Sequence, residues 1–415
     1  MVYHRRRRVA FYSHDTMGLG HMRRNLLLAQ ALRHPPTRAV VLMIAGAREA
    51  TLVAAADGVD CVTLPALQKD QDGHYHPRHL GVSLPELVAL RTRTASAALE
   101  TFDPDVLIVD NVPRGALREL DPVLETLRAR RHTRLVLGLR DVLDDPATLQ
   151  REWSCAKNQD ALRRYYDAVW VYGDPAVYDT VREYAFDPDI AAKVRYTGYL
   201  DRRSRLTRPI PRNGDPVTAL GLPPGRLALC LVGGGQDGAE LAEAFVNAEL
   251  PADTNGVVVV GPYMPAEIRQ RLSRRAACQP RRRRVVSFMR EPTRILQYAD
   301  DVVSMGGYNT VCEVLSFAKH SLIVPRVRPR REQLIRAERL HALGLVDLIH
   351  PGDLSPDALS AWLAQQTRPP RPARERVDLE GLHRVPRLLE ALLRPSTPRP
   401  PDPALAGPVP RSGVD

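Results

Sequence analysis

Short apolar runs alternate along this chain with longer stretches in which apolar residues recur every three to four positions. The short runs predict strands at Arg8 to Ser13, Val40 to Ala45, Asp60 to Leu64, Asp105 to Val109, Arg134 to Leu139, Ala168 to Tyr172 and Val194 to Tyr196. A second series follows at Leu227 to Val232, Val257 to Gly261, Val285 to Phe288, Asp301 to Val303 and Leu322 to Val324. Helical spacing appears from Met22 to Leu32, Leu84 to Phe102, Ala239 to Ala248 and Thr310 to Ala318, and in a helix ending near Gly344. Ser355 and Pro356 cap a further helix to Gln365, and a last one covers about Val385 to Leu393. Strands alternating with helices predict an α/β fold with mainly parallel sheets. The motif of strand, glycines and helix occurs twice, after Ser13 and after Val232, so two similar halves are expected.

In parallel sheets, ligands sit at the carboxyl ends of the strands, where helix N-termini point. The polar clusters of this sequence fall at that edge. Gly18, Gly20 and His21 follow the first strand. Their spacing is not that of a dinucleotide fingerprint. Asp110 and Asn111 end one strand, and Arg140 and Asp141 end another. They suggest an acceptor pocket, although Asp and Asn at such places also serve as helix caps. Gly234, Gly235 and Gln236 open the second half, where loop N–H groups can approach a diphosphate. Gly307, Asn309, Thr310 and Glu313 form a third cluster, and Glu332 and Gln333 a fourth. Thr310 and Glu313 also have the spacing of a capping box, so a purely structural role stays open for them. The stretch Gln68 to His79, with His74, His76 and His79, reads as a flexible acceptor-side loop; the spacing is loose for a metal site.

These motifs resemble glycosyltransferase family 28, whose best-known member adds N-acetylglucosamine to the lipid-linked peptidoglycan precursor. The resemblance implies the GT-B architecture, two Rossmann-like domains facing across a cleft. In that family a Gly-x-x-Thr-x-x-Glu segment binds diphosphate and ribose; here it is Gly307, Thr310 and Glu313. A Gln pair that binds the sugar corresponds to Glu332 and Gln333, the first Gln being replaced by Glu. A Gly-Gly-Ser-Gln-Gly type loop matches Gly234, Gly235 and Gln236, with Gly235 in the Ser position. Met289 lies where the family holds the uracil ring. A Gly-x-Gly-His loop places Gly18, Gly20 and His21 between the domains. The expected activity is inverting transfer from a UDP-linked sugar to an acceptor hydroxyl. His21 would be the base at a helix N-terminus, which favours its neutral form, and Asp110 the other candidate. No Asp-x-Asp motif falls on a ligand-facing loop, so no metal or cofactor is expected. A non-hydrolysing UDP-sugar 2-epimerase and a non-catalytic sugar-nucleotide-binding protein are the alternatives.

The length of 415 residues suits two domains. The expected division is a first domain at 1–204, a linker at 205–216, a second domain at 217–375, a return helix at 376–394 and a disordered Pro-rich tail at 395–415. The net charge is +11, almost all of it from Arg, since Lys occurs only at 69, 157, 193 and 319. The basic residues lack the aromatic interleaving of an RNA-binding surface, which argues against nucleic acid. They fit phosphate-bearing ligands or peripheral contact with an anionic membrane that carries a lipid-linked acceptor. The arginines at 281–284 read as a solvated edge. Five dispersed cysteines suit a cytoplasmic protein.

Overall fold

The computed structural model describes residues 5–14, 20–47, 58–69, 74–203, 217–235, 237–278, 282–289, 291–365 and 373–394. The expected linker and the Pro-rich tail lie outside these, as do Gly18 and Gln236.

Strands β1 (Arg8–Ser13), β2 (Val40–Ala45), β3 (Asp60–Thr63), β4 (Leu67–Lys69), β5 (Tyr75–Pro77), β6 (Val106–Asp110), β7 (Arg134–Arg140), β8 (Ala168–Tyr172) and β9 (Val194–Tyr196) belong to the first half. Seven of them form one sheet in the order β3-β2-β1-β6-β7-β8-β9, with every neighbouring pair parallel. The second half carries β10 (Arg226–Leu231), β11 (Thr254–Val259), β12 (Arg283–Val286), β13 (Asp301–Ser304), β14 (His320–Ile323) and β15 (Asp347–Leu348). These form a second parallel sheet in the order β12-β11-β10-β13-β14-β15. Strands such as β6 and β8 are buried along their whole length because helices cover both faces. In each sheet the order reverses at the first strand of its half, between β1 and β6 and between β10 and β13. The crevice outside the carboxyl ends of the strands opens there. Both glycine loops follow these two strands.

Among the described residues the helices of eight or more residues are α1 (Gly20–Arg33), α2 (Leu84–Phe102), α3 (Asp121–Arg130), α4 (Pro146–Ala156), α5 (Asn158–Tyr165), α6 (Ala239–Asn247), α7 (Ala266–Ala276), α8 (Tyr308–Ser316), α9 (Glu332–Ala342), α10 (Pro356–Leu363) and α11 (Gly381–Leu393). One apolar core runs without a break from Val9, Met22 and Leu26 of the first half to Leu229, Val302 and Leu340 of the second. Leu382, Val385 and Leu389 of α11 join it, where α11 packs across α1. Among the described residues no helix is long and apolar enough to cross a membrane.

Three expectations are corrected. The strand expected at 285–288 is β12, two residues earlier, and Arg283 and Arg284 of the expected solvated edge lie within it; Arg281 lies outside the described residues. Arg283 is buried in the strand and donates to the carbonyl of Phe245 at 3.1 Å and to that of Ala248, at the end of α6. Free carbonyls at a helix C-terminus draw a cation inward. Arg284 donates to the carbonyls of Leu220 and Gly221 at 2.8 and 2.9 Å. The stretch at 68–79 is not wholly loop either: β4 and β5 pair antiparallel, with Gln68 opposite His76.

Candidate functional site

The first-half wall of the cleft is built at the start of α1. Gly20 opens the helix and His21 follows, its side chain 17% exposed and lining the cleft. Its Nδ1 lies 2.6 Å from Oδ2 of Asp110, the last residue of β6. Arg24, one turn along α1, donates to the other Asp110 oxygen at 2.5 Å. Burial alone would raise the Asp110 carboxyl; Arg24 and then His21 outweigh it and hold the group well below the usual carboxylate range. Asp110 is thus a buried carboxylate whose charged form its neighbours favour, and it lies in contact with the imidazole of His21. Arg24 was not legible in the sequence beforehand; its only local signal is its place three residues after His21.

The second-half wall comes from three loops. After β10, Gly233, Gly234 and Gly235 line the cleft. Gly235 has φ +88°, and a Cβ there would stand 2.0 Å from the Val260 carbonyl oxygen. The glycine at the family's Ser position is thus a steric requirement of this loop. After β13, Gly307 is the N-cap of α8, with no side-chain cap. Thr310 sits inside that helix, so the capping-box reading of Thr310 and Glu313 does not hold. The first turn, Tyr308 to Thr310, faces the cleft, where backbone N–H groups lack intrahelical partners. Glu313 lines the same wall, is 5% exposed and accepts a 2.8 Å hydrogen bond from Thr293. Burial raises its carboxyl, and Arg202 partly offsets this. After β14, Gln333 accepts from the Arg326 backbone N–H at 3.0 Å, and Glu332 pairs with Arg326 at 2.7 Å. Arg326 also reaches Asp237 of the glycine loop at 2.9 Å. Burial raises the Glu332 carboxyl, but Arg140, Arg326 and Arg336 hold it below its ordinary value.

The halves meet directly around this cleft. Asn309 donates to the Gly20 carbonyl at 2.9 Å and accepts from Arg202. Arg23 donates to the Met289 carbonyl at 3.4 Å. Of the expected acceptor-side residues, Gly20 and Arg140 line the cleft. Asn111 stands just behind it in left-handed backbone, φ +65°. Asp141 is wholly buried and accepts hydrogen bonds from Arg336 on both oxygens and from Tyr199 at 2.9 Å. It braces the two halves and does not face a ligand. Arg330 and Arg331 behave alike: Arg330 pairs with Asp144 and Glu152 at 3.0 Å, and the Arg331 N–H donates to Asp144 at 2.8 Å.

Residues 229–385 match the family model for the glycosyltransferase family 28 C-terminal domain. The chain is family 28-like, with the GT-B fold. The matched span of this family 28-like chain carries every second-half loop described above. One curated relative is the UDP-N-acetylglucosamine--N-acetylmuramyl-(pentapeptide) pyrophosphoryl-undecaprenol N-acetylglucosamine transferase of Haemophilus influenzae (strain PittGG). It is 28% identical over 85 residues, which are 20% of this chain and 24% of the relative. The chain thus spans about a quarter of the length of the curated relatives it matches. Among solved structures, MurG of Acinetobacter baumannii superposes with a TM-score of 0.56 at 15% identity, over 93% of this chain and 99% of that one. A UDP-N-acetylglucosamine 2-epimerase from Listeria monocytogenes gives 0.58 at 15%, over 94% and 97%. At such identities these structures speak for the fold alone.

Proposed function

We propose that the protein is an inverting, metal-independent glycosyltransferase that moves a sugar from a UDP-linked donor to an acceptor hydroxyl. The observation that carries this is His21, held by Asp110 on one wall and facing the glycine loop and α8 on the other. With Nδ1–H donated to Asp110, the second ring nitrogen is left as an acceptor toward the cleft. It takes the proton of the acceptor hydroxyl as that oxygen attacks the anomeric carbon. The carbon–diphosphate bond breaks on the opposite face, and the diphosphate leaves with added negative charge. The first turn of α8 and the loop after β10 meet that charge with backbone N–H groups, which removes the need for a cation. Glu313 is placed to accept from ribose hydroxyls, and Glu332 and Gln333 from the sugar.

The acceptor we infer is lipid-linked, reached by peripheral contact with an anionic membrane. Leu80, Val82 and Leu90 are 45%, 41% and 46% exposed beside Arg78 and Arg93 of the first half. Apolar side chains among cations suit such a surface. Vesicles containing anionic lipid should co-sediment with the protein at low salt and release it at high salt. Equal partition to neutral vesicles would count against the contact.

The deciding experiment is a turnover screen of nucleotide sugars with isolated lipid-linked saccharides as acceptors. UDP release that needs acceptor, survives EDTA and gives a product of inverted anomeric configuration is the expected result. Acceptor-free conversion of UDP-N-acetylglucosamine at carbon 2 would make the protein an epimerase instead.

A further inference from the structure

Several arginines at or beneath the cleft are matched to acids. Arg24 holds Asp110, Arg326 holds Asp237 and Glu332, and Arg336 holds Asp141. Arg140, the last residue of β7, lines the cleft, and its side chain makes no hydrogen bond or ion pair with any described residue. Its Nε is buried without a partner, and so is Oε2 of Glu332, the acid that acts on it most strongly. A guanidinium held partly out of water with a buried donor unused is a cost that the nearby Glu332 charge offsets only in part.

We propose that Arg140 binds an oxyanion of the ligand, either a phosphate of the donor diphosphate or a carboxylate on the donor sugar. This rests on the nucleotide-sugar reading above. A planar fork of N–H donors matches the paired oxygens of either group. The side chain reaches the cleft from the first half, whereas the glycine loop, α8 and the Glu332–Gln333 pair all belong to the second. Arg140 therefore gives the first half a direct hold on the donor, and the donor's anion completes a charge arrangement that the protein alone leaves open. Burial, with Arg24 and Arg336 nearby, pushes the Arg140 group down to about 10. It remains a cation at neutral pH, but one whose charge gains from an anionic partner.

The test is Arg140→Gln, with melting temperature and calorimetric affinity measured for UDP, UDP-glucose and UDP-glucuronate. The unliganded variant should melt at the same temperature as the parent protein or higher, because an unpaired charge has been removed. If the diphosphate is the partner, all three affinities fall roughly tenfold, the worth of one charge-assisted pair. If the sugar carboxylate is the partner, UDP-glucuronate alone loses affinity, and Arg140→Lys recovers part of it. Unchanged affinities for all three overturn the proposal, the more so if the unliganded variant melts lower, which makes Arg140 a structural residue. A parent protein that binds none of the three removes the nucleotide-sugar reading itself, and this inference with it.

Discussion

In the proposed transfer His21 and Asp110 share one task. Arg24 and His21 both hold the Asp110 carboxylate, and His21 is the member of the group that lines the cleft. Replacing His21 with Ala should lower kcat by roughly 10²- to 10⁴-fold while UDP affinity stays nearly constant. Asp110→Asn should also slow turnover, since it loses the charge that sets the tautomer and steadies the imidazolium. Steady-state kinetics with calorimetry on both variants checks this; normal turnover in the His21 variant would leave that residue a structural role. The glycines and His21 were legible because a strand, a tight turn and a helix start leave a local signature. Arg24, Arg336 and the true place of Asp141 were not. Their partners lie far away in the chain, and no spacing rule joins position 141 to position 336.

Among the elements, strands were legible wherever an apolar run is buried on both faces, as in β6 and β8. Four helices, α3, α4, α5 and α7, passed unread because charged residues break up their apolar stripes. A local signal existed for α4: Asp145 caps it, accepting from Thr148 N–H at 3.0 Å, and Pro146 holds its first position. The slip at β12 arose because Arg283 and Arg284 look like surface residues until α6 supplies carbonyls for the first. At the other end of the second sheet, β14 begins with His320. Its ring sits between Asp301 at 2.7 Å and Asp347 at 3.3 Å and stacks on Trp362 at 4.5 Å. Burial lowers this imidazole, but Asp301 and Asp347 outweigh it and raise it to about 9. The unfolded value is about 6.5. The stability this gives is fully present below about pH 6.5 and is lost as pH rises through about 9. Melting temperatures of the parent protein and His320→Gln should differ most near pH 6 and converge above pH 9. A constant difference across that range would sink the idea.

At the scale of the whole molecule, the two halves are joined by packing as well as by chain. Asp141 and Arg336 form a wholly buried ion pair between them, and Arg336 also donates to the Gly306 and Val142 carbonyls. Arg336→Ala leaves an unpaired carboxylate in the interior and should cost about 3–5 kcal/mol in denaturant unfolding. The double variant Arg336→Met with Asp141→Leu should cost clearly less, because it leaves no charge behind. Equal losses in the two would mean that the packing around the pair, and not its charge, holds the halves together. The helix that packs across α1 bears on how the chain is made. The last strand of the first sheet ends at Tyr196, while α11 begins at Gly381. During synthesis the first half can assemble its sheet long before the ribosome releases the segment that covers α1. Until then the part of the helix carrying His21 that α11 covers stays open to solvent, to chaperones and to other nascent chains. The helix that carries His21 is thus among the first parts made and the last to be fully enclosed.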